Sequence, residues 1–505
     1  MKNTTWLTIL TTLAICFNSI GSLFAAESFV VFKQQEGTFI LVDNQASVAL
    51  FTPARTDEGV AMAVANLQKD ILAVTGVRLP LTHKQQSGCV IIGTIEQPAI
   101  RKALLKAGVN LSQLEGKREK YILTTYDNHL LIAGSDKRGA IYGIYELSRQ
   151  IGVSPWYWFM DVPIRQHKQL YILPGIYTDG EPAVAYRGIF INDEWPCFGK
   201  WATSHFGGLN SKMYQHIFEL ILRLKGNFLW PAMWDSAFFD DDPNNGELAN
   251  KMGIVMSTSH HEPMNLAQQD WKRRGGTQKK WNYLTNSEEL RAFWRTGIER
   301  AKNWETITTI GMRGDGDEAM PSAEDNQALL ERIVADQRQI IESVTRKPAS
   351  ETPQVWALYK EVQDYYDSGM QVPEDVTLML CDDNWGNVRR VPSEANRYRK
   401  GGFGLYYHFD YVGDPRNSKW INISPIPRVW EQLNLAYEYG IRQIWITNVG
   451  DLKPMEYPIQ FFMDMAWDPH RFNATNLTQH TDSFCASVFG EEYALEASRL
   501  LRTYA

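Results

Sequence analysis

Cysteine is scarce in this chain of 505 residues: Cys16, Cys89, Cys197, Cys381 and Cys485 are all there is, with no CxxC pair. Neither a disulfide framework nor a zinc site is indicated, and the four thiols beyond the N-terminal segment are expected to be buried. A basic excess is missing too. Lys and Arg number 51 against 58 Asp and Glu, a net charge of -7, and no basic run offers nucleic acid a footprint. No GxGxxG follows an expected strand and no HExxH occurs, so no cofactor and no catalytic metal is expected. The one long apolar run is at the start, where Lys2, an apolar stretch over 7–17 and small residues up to Ala26 read as a secretory signal peptide over 1–26. It is too short to span a membrane. Leu13-Ala14-Ile15-Cys16 makes a poor lipoprotein box because Ile15 is bulky. The expected location is periplasmic or secreted, without a membrane span.

What the chain has in plenty is aromatic: 17 Trp, 22 Tyr and 22 Phe. Sugar C–H faces pack on such rings, so this supply suits a carbohydrate binder. The length implies two or three domains. Residues 27–182 read as a small α/β domain, with a hairpin turning at Asp127-Asn128 and a helix over 137–151 capped by Ser135-Asp136 and stopped at Gly152. Gly139 and Gly143, four apart, fit close packing. From 183 to 472 the rhythm becomes strand, polar cluster, helix. Strands are expected at 186–192, 228–233, 254–258, 306–311, 354–359, 377–381, 404–409 and 443–447, with amphipathic helices between them. Eight apolar strands alternating with helices are the pattern of a (β/α)8 TIM barrel, an α/β fold. Residues 473–505 are helical throughout and read as the beginning of a truncated helical-bundle domain.

Catalytic groups of such barrels gather at the C-terminal ends of the strands. There the sequence places Asn192-Asp193-Glu194-Trp195, Trp234-Asp235 and Ser259-His260-His261-Glu262 after the first three strands. Arg313, Asp315, Asp317 and Glu318 follow the fourth, Lys360-Glu361 the fifth, Asp382-Asp383-Asn384-Trp385 the sixth, His408 to Tyr411 the seventh and Asn448 the eighth. One such cluster is an ordinary solvated turn. Eight converging on one rim call for a polar ligand.

Several acids, few lysines and many aromatics describe a glycosidase pocket, since glycosidic cleavage uses one protonated carboxyl to assist the leaving oxygen and a second carboxylate to activate water or attack. Arg313 among those acids has two readings. Its fork suits a uronate carboxylate, or it forms an ion pair with Asp315 or Asp317, and residue types leave both open. Adjacent His260 and His261 on a strand would point opposite ways, so at most one is expected to face the pocket. The stretch 240–246 imitates a calcium loop, but Gly246 falls one place late and Lys251 stands where a bidentate Glu belongs. A solvated loop is expected there. Two competing functions remain: a glycosidase of other, hexosaminidase-like specificity, and a non-catalytic polysaccharide-binding barrel.

Six segments carry a resemblance: Arg187-Gly-Ile-Phe-Ile-Asn-Asp-Glu194, Gly226-Asn-Phe-Leu-Trp-Pro-Ala-Met-Trp234, Ser257-Thr-Ser-His-His-Glu-Pro-Met264, Gly311-Met-Arg-Gly-Asp-Gly-Asp317, Tyr359-Lys-Glu-Val362 and Asp382-Asp-Asn-Trp-Gly-Asn387. Together the chain resembles glycoside hydrolase family 115, over roughly residues 30–472. That family comprises xylan α-1,2-glucuronidases, inverting enzymes that release glucuronic or 4-O-methylglucuronic acid from glucuronoxylan or its oligosaccharides. The resemblance implies catalytic roles for Glu361, Asp317 and Asp193, and substrate binding by Arg313, Asn384, His260, Trp234, His408, Tyr411 and Asn448. In this reading Glu361 and Asp317 share the acid/base work, Arg313 holds the uronate and Trp234 stacks on the sugar. Family members continue through a helical bundle into a C-terminal β-domain; a homodimer would form through those parts, which this sequence is expected to lack.

Overall fold

The computed structural model describes residues 28–504 apart from 44–46, 193–194, 277–279, 321–325 and 412–421. The expected signal segment and Asp193 therefore lie outside the described residues. Contacts divide the chain into two units, one running up to Glu181 and including His470–Arg499, the other built on Pro182–Pro469.

In the first unit a six-stranded sheet runs in the order Leu81–Thr82, Ala49–Phe51, Cys89–Thr94, His129–Gly134, Tyr121–Tyr126 and Ile176–Tyr177. The hairpin turns where expected: Asp127 and Asn128 have φ of 41° and 60°, the two positive values that a two-residue turn needs to match strand twist. Helix Lys137–Gln150 starts on Asp136, whose carboxylate accepts from Gly139 N–H at 2.8 Å. A Cβ at Gly139 would lie 2.3 Å from the Lys120 carbonyl, so close packing is what that glycine provides. Helix Leu477–Phe489 belongs to this unit: Arg165 Nη2 donates to the Ala486 carbonyl at 2.7 Å, and Arg471 pairs with buried Asp179 at 3.4 Å. A segment too short to bury its own apolar face finds one there.

The second unit holds eight parallel strands: β1 (Tyr186–Phe190), β2 (Phe228–Trp230), β3 (Val255–Met256), β4 (Thr308–Thr309), β5 (Gln354–Leu358), β6 (Thr377–Cys381), β7 (Phe403–His408) and β8 (Ile444–Asn448). They pair in the order β3-β2-β1-β8-β7-β6-β5-β4. The two ends of that order meet, because Met256 and Thr306 form a parallel bridge and Ile307 N–H donates to the Met256 carbonyl at 3.0 Å. The sheet thereby curls on itself into a TIM-like barrel. All eight expected strands are present, but β2, β3 and β4 are shorter than the apolar runs that announced them, since their ends leave the ladder to carry polar groups into loops.

Inward packing follows the period of two along each strand. Val355, Ala357 and Tyr359 join Phe190, Trp230, Tyr406 and Ile444 in the barrel interior, while Trp356 and Leu358 are buried on the opposite face. Arg187, fully buried, serves the barrel's other end: its guanidinium donates to the carbonyls of Lys225, Val184 and Ala185 at 2.8–3.0 Å. Asn227 meets the same strand start, accepting from Arg187 N–H at 2.8 Å. Among the described residues no helix is long and apolar enough to cross a membrane.

Two smaller expectations fail. Residues 240–246 are mostly helical, in Phe238–Asp241 and Asn244–Met252, because Asp242 accepts from Ser211 and Asn244 N–H at 2.9 Å each and Asp241 pairs with Arg273 at 2.5 Å. Local caps outweigh repulsion among the acids. Cys89, Cys381 and Cys485 are buried but Cys197, opening helix Cys197–Phe206, is exposed.

Candidate active site

Several strand ends bring their groups together around Arg313. The chain leaves β4 at Gly311, with φ of 93° and so little room that a Cβ would meet Trp356 Nε1 at 2.5 Å; only glycine fits. Buried Gln337 on helix Asn326–Thr345 holds the turn, accepting from Gly311 N–H at 2.7 Å and donating to its carbonyl at 2.9 Å. Met312 then enters the core, and the Arg313 carbonyl is tied by Trp281 Nε1 at 2.9 Å.

The Arg313 side chain, 4% exposed, meets Glu361 twice: Nε to Oε1 at 3.0 Å and Nη2 to Oε2 at 2.8 Å. Its Nη1 donates to both the carboxylate and the carbonyl of Asp317. Of the two ion pairs that the residue types allowed, the one with Asp317 is formed; exposed Asp315 pairs with Lys272 at 3.6 Å instead. One guanidinium thus lies between the two carboxylates put forward for acid/base work. Glu361 opens helix Glu361–Asp367, following Lys360 at φ 50°, ψ −121°, a conformation a lysine adopts only when its surroundings impose it.

Asp317 is itself left-handed, φ 64°, which turns its carboxylate to His260 Nε2 at 2.9 Å and His261 Nδ1 at 3.6 Å. The expectation that at most one histidine faces this site is therefore wrong. The strand β3 ends at Met256, and both histidines sit in the turn beyond it, where alternation no longer applies. Burial lowers the pKa of both imidazoles, that of His261 to about 3, so both are neutral near pH 7. Burial works to raise Asp317, yet His260, His261 and Arg313 together hold it far below the usual carboxylate range. With the imidazoles neutral, the positive charge responsible at pH 7 is that of Arg313, and His260 adds a hydrogen bond.

The remaining candidates divide. Asn384, at φ 69°, is tied back by its N–H, which donates to Asp382 Oδ1 at 3.0 Å. The Tyr359 ring lies 4.4 Å from His260 and 5.4 Å from the Arg313 guanidinium carbon, and Trp234 lies 6.2 Å from His261. Burial pushes the Tyr359 hydroxyl well up. Tyr411 stands 6.3 Å from His408 and 5.8 Å from exposed Trp385. His408 is committed to Asp382, Nδ1 to Oδ1 at 2.6 Å, and Asn448 to the Tyr406 hydroxyl at 3.2 Å and Gly450 N–H at 2.9 Å. Tyr359, Lys360 and His261 were not among the candidate site residues; their place directly before or after a candidate was the available signal. His260, His261 and Asp317 also offer donor atoms within 4.8 Å of one another, a set that could hold a metal ion. Arg313, on the same Asp317 oxygen, already supplies positive charge there.

Residues 179–505 match Glycosyl hydrolase family 115, and residues 42–147 match the Glycosyl hydrolase family 67 N-terminus. The chain belongs to glycosyl hydrolase family 115. A solved family 115 4-O-methyl-alpha-glucuronidase with specificity for decorated arabinogalactans is 35% identical, with a TM-score of 0.85 over 92% of this chain. The chain spans 62% of the length of that relative. A GH138 enzyme targeting pectin rhamnogalacturonan II (14% identity, TM-score 0.56, 90% of this chain and 55% of that one) shares the fold. So does the GH20 beta-N-acetylhexosaminidase of Streptomyces coelicolor A3(2), at 12% identity and TM-score 0.57 over 95% of this chain and 97% of that one. Among curated proteins none matches. Within family 115, the Arg313 cluster falls in the matched region, as do all ten candidate residues.

Proposed function

We propose that this family 115 protein is an inverting glycoside hydrolase that releases α-1,2-linked glucuronic or 4-O-methylglucuronic acid from glucuronoxylan side chains, in the periplasm or outside the cell. The observation that carries the reading is the Arg313 guanidinium set between Glu361 and Asp317. A cation between two carboxylates suits the ~6.5–9.5 Å spacing of an inverting pair better than the ~5 Å of a retaining one. Asp317, held ionised, takes the base role and activates water. Glu361 takes the acid role. When a uronate enters and shares the Arg313 fork, it frees Glu361 and adds a negative charge beside it, and both effects favour the protonated carboxyl. Buried His260 Nδ1, Asn384 Oδ1 and Trp234 Nε1, which have no protein hydrogen-bond partner among the described residues, suit sugar hydroxyls.

The test is incubation of the full chain with glucuronoxylan, mass analysis of the released acid, and NMR of its first-formed anomer. Release of a β-configured uronic acid is expected; carboxyl-reduced xylan should yield nothing. Glu361→Gln retaining wild-type turnover would remove it from the mechanism. A second main chain is favoured by one observation, the stated specificity of the 35%-identical relative for decorated arabinogalactans. Parallel assays on uronate-bearing arabinogalactan decide between the two polymers.

A further inference from the structure

We propose that Gln268 is a positioning residue that locks the Asp317 loop into its working shape. The inference rests on the reading of Asp317 as a catalytic carboxylate. Gln268 is buried and begins the short helix Gln268–Trp271. Its side-chain amide grips the loop at two points: Nε2 donates to the Gly314 carbonyl at 3.2 Å, and Oε1 accepts from Gly316 N–H at 3.0 Å. A carbonyl only accepts and an N–H only donates, so the amide has one orientation. The two grips bracket Asp315 and end one residue before Asp317. Gly314 N–H also closes the loop on the Glu318 carbonyl at 2.7 Å. Asp317 is left-handed, a conformation an aspartate keeps under restraint.

The grip reaches back to the histidines. Gln268 N–H donates to Glu262 Oε1 at 2.9 Å, and Glu262 follows His261 directly. Thr258 Oγ1 holds the Glu262 carbonyl at 2.5 Å. Gln268 therefore joins two segments, its backbone N–H holding the turn that carries His260 and His261 and its side-chain amide holding the loop that carries Asp317, and the 2.9 Å contact between them depends on the side-chain half of that joint. Glu262 and Asp270 accept from the backbone N–H of Gln268 and Ala267, and Lys272 and Asp315 stand nearby.

Gln268→Leu keeps the bulk and removes both grips. Its kcat should fall about 10²-fold with KM little changed, the effect of a misplaced catalytic group. Gln268→Glu is the sharper variant. Protonated, it restores donor and acceptor; ionised, it faces the Gly314 carbonyl with a charge. Its kcat relative to wild type should rise as pH falls, and a profile parallel to wild type overturns the proposal even where Gln268→Leu fails to fold. Imidazole 15N NMR of histidine-labelled protein gives a readout that needs no turnover. In both variants near pH 8 the His260 Nε2 resonance, assigned with His260→Gln, should move to its position in Asp317→Asn. An unmoved resonance overturns the proposal, whereas wild-type protein inactive on every glucuronide overturns the functional reading alone.

Discussion

Two aspartate–histidine pairs sit on the same barrel rim and behave as opposites. Asp382 and His408 meet at 2.6 Å with side chains essentially unexposed, and both Asp382 oxygens are filled by N–H groups of Asn384, Gly386 and His408. Asp317 and His260 meet at 2.9 Å with the aspartate 18% exposed, on a left-handed residue, against a shared arginine. The first pair is closed and saturated, which is how a loop is fixed. The second is open on one side, which is how a carboxylate is offered to a substrate.

Four changes test that contrast. Asp317→Asn should lower kcat about 10³-fold, the scale of a lost general base, with a smaller fall in Tm than Asp382→Asn. The latter sets an amide among backbone donors and should destabilise the fold by about 3 kcal/mol, read by thermal unfolding, while folded protein at low temperature keeps most of its turnover. If the two variants exchange these signatures, the distinction collapses. Glu262→Gln probes the pH axis. Burial pushes the Glu262 carboxyl from 4.5 up to about 8, so the folded protein keeps a proton that the unfolded chain releases. That contribution is complete below pH 4.5 and is lost as pH rises towards 8. The Tm of the variant should therefore climb above wild type across that window, and coincident curves would show that Glu262 ionises freely. Smallest is Trp234→Ala, expected to raise KM about tenfold through a lost sugar-stacking surface, about 1.4 kcal/mol, with Tm little changed.

Much of this was legible before the structure. Apolar runs spaced by amphipathic helices announced the barrel, and barrel geometry then converts strand ends into one rim; within that rim the family resemblance singled out Arg313, Asp317, Glu361, Asn384 and His260. Partnership was not legible. Asp382 directly follows buried β6 and Asp317 comes eight residues after buried β4, and nothing in their neighbours says that one will be saturated by N–H groups and the other left open. His261 was set aside because alternation was applied past the end of β3. Gln268 belongs to no motif; its role arises from where a four-residue helix places one amide, a matter of tertiary placement.

The barrel's closure has a consequence of its own. The strands β3 and β4 are two residues each and are joined by a bridge at Met256 and Thr306, so the ring has a seam. The loops carrying His260 and Asp317 grow from that seam. Fewer ladder hydrogen bonds mean cheaper local opening, so amide protons of β3 and β4 should exchange with solvent sooner than those of β5 to β8. On warming, the histidine–aspartate contact should come apart while most of the ring still stands, and activity should fade ahead of the main unfolding transition.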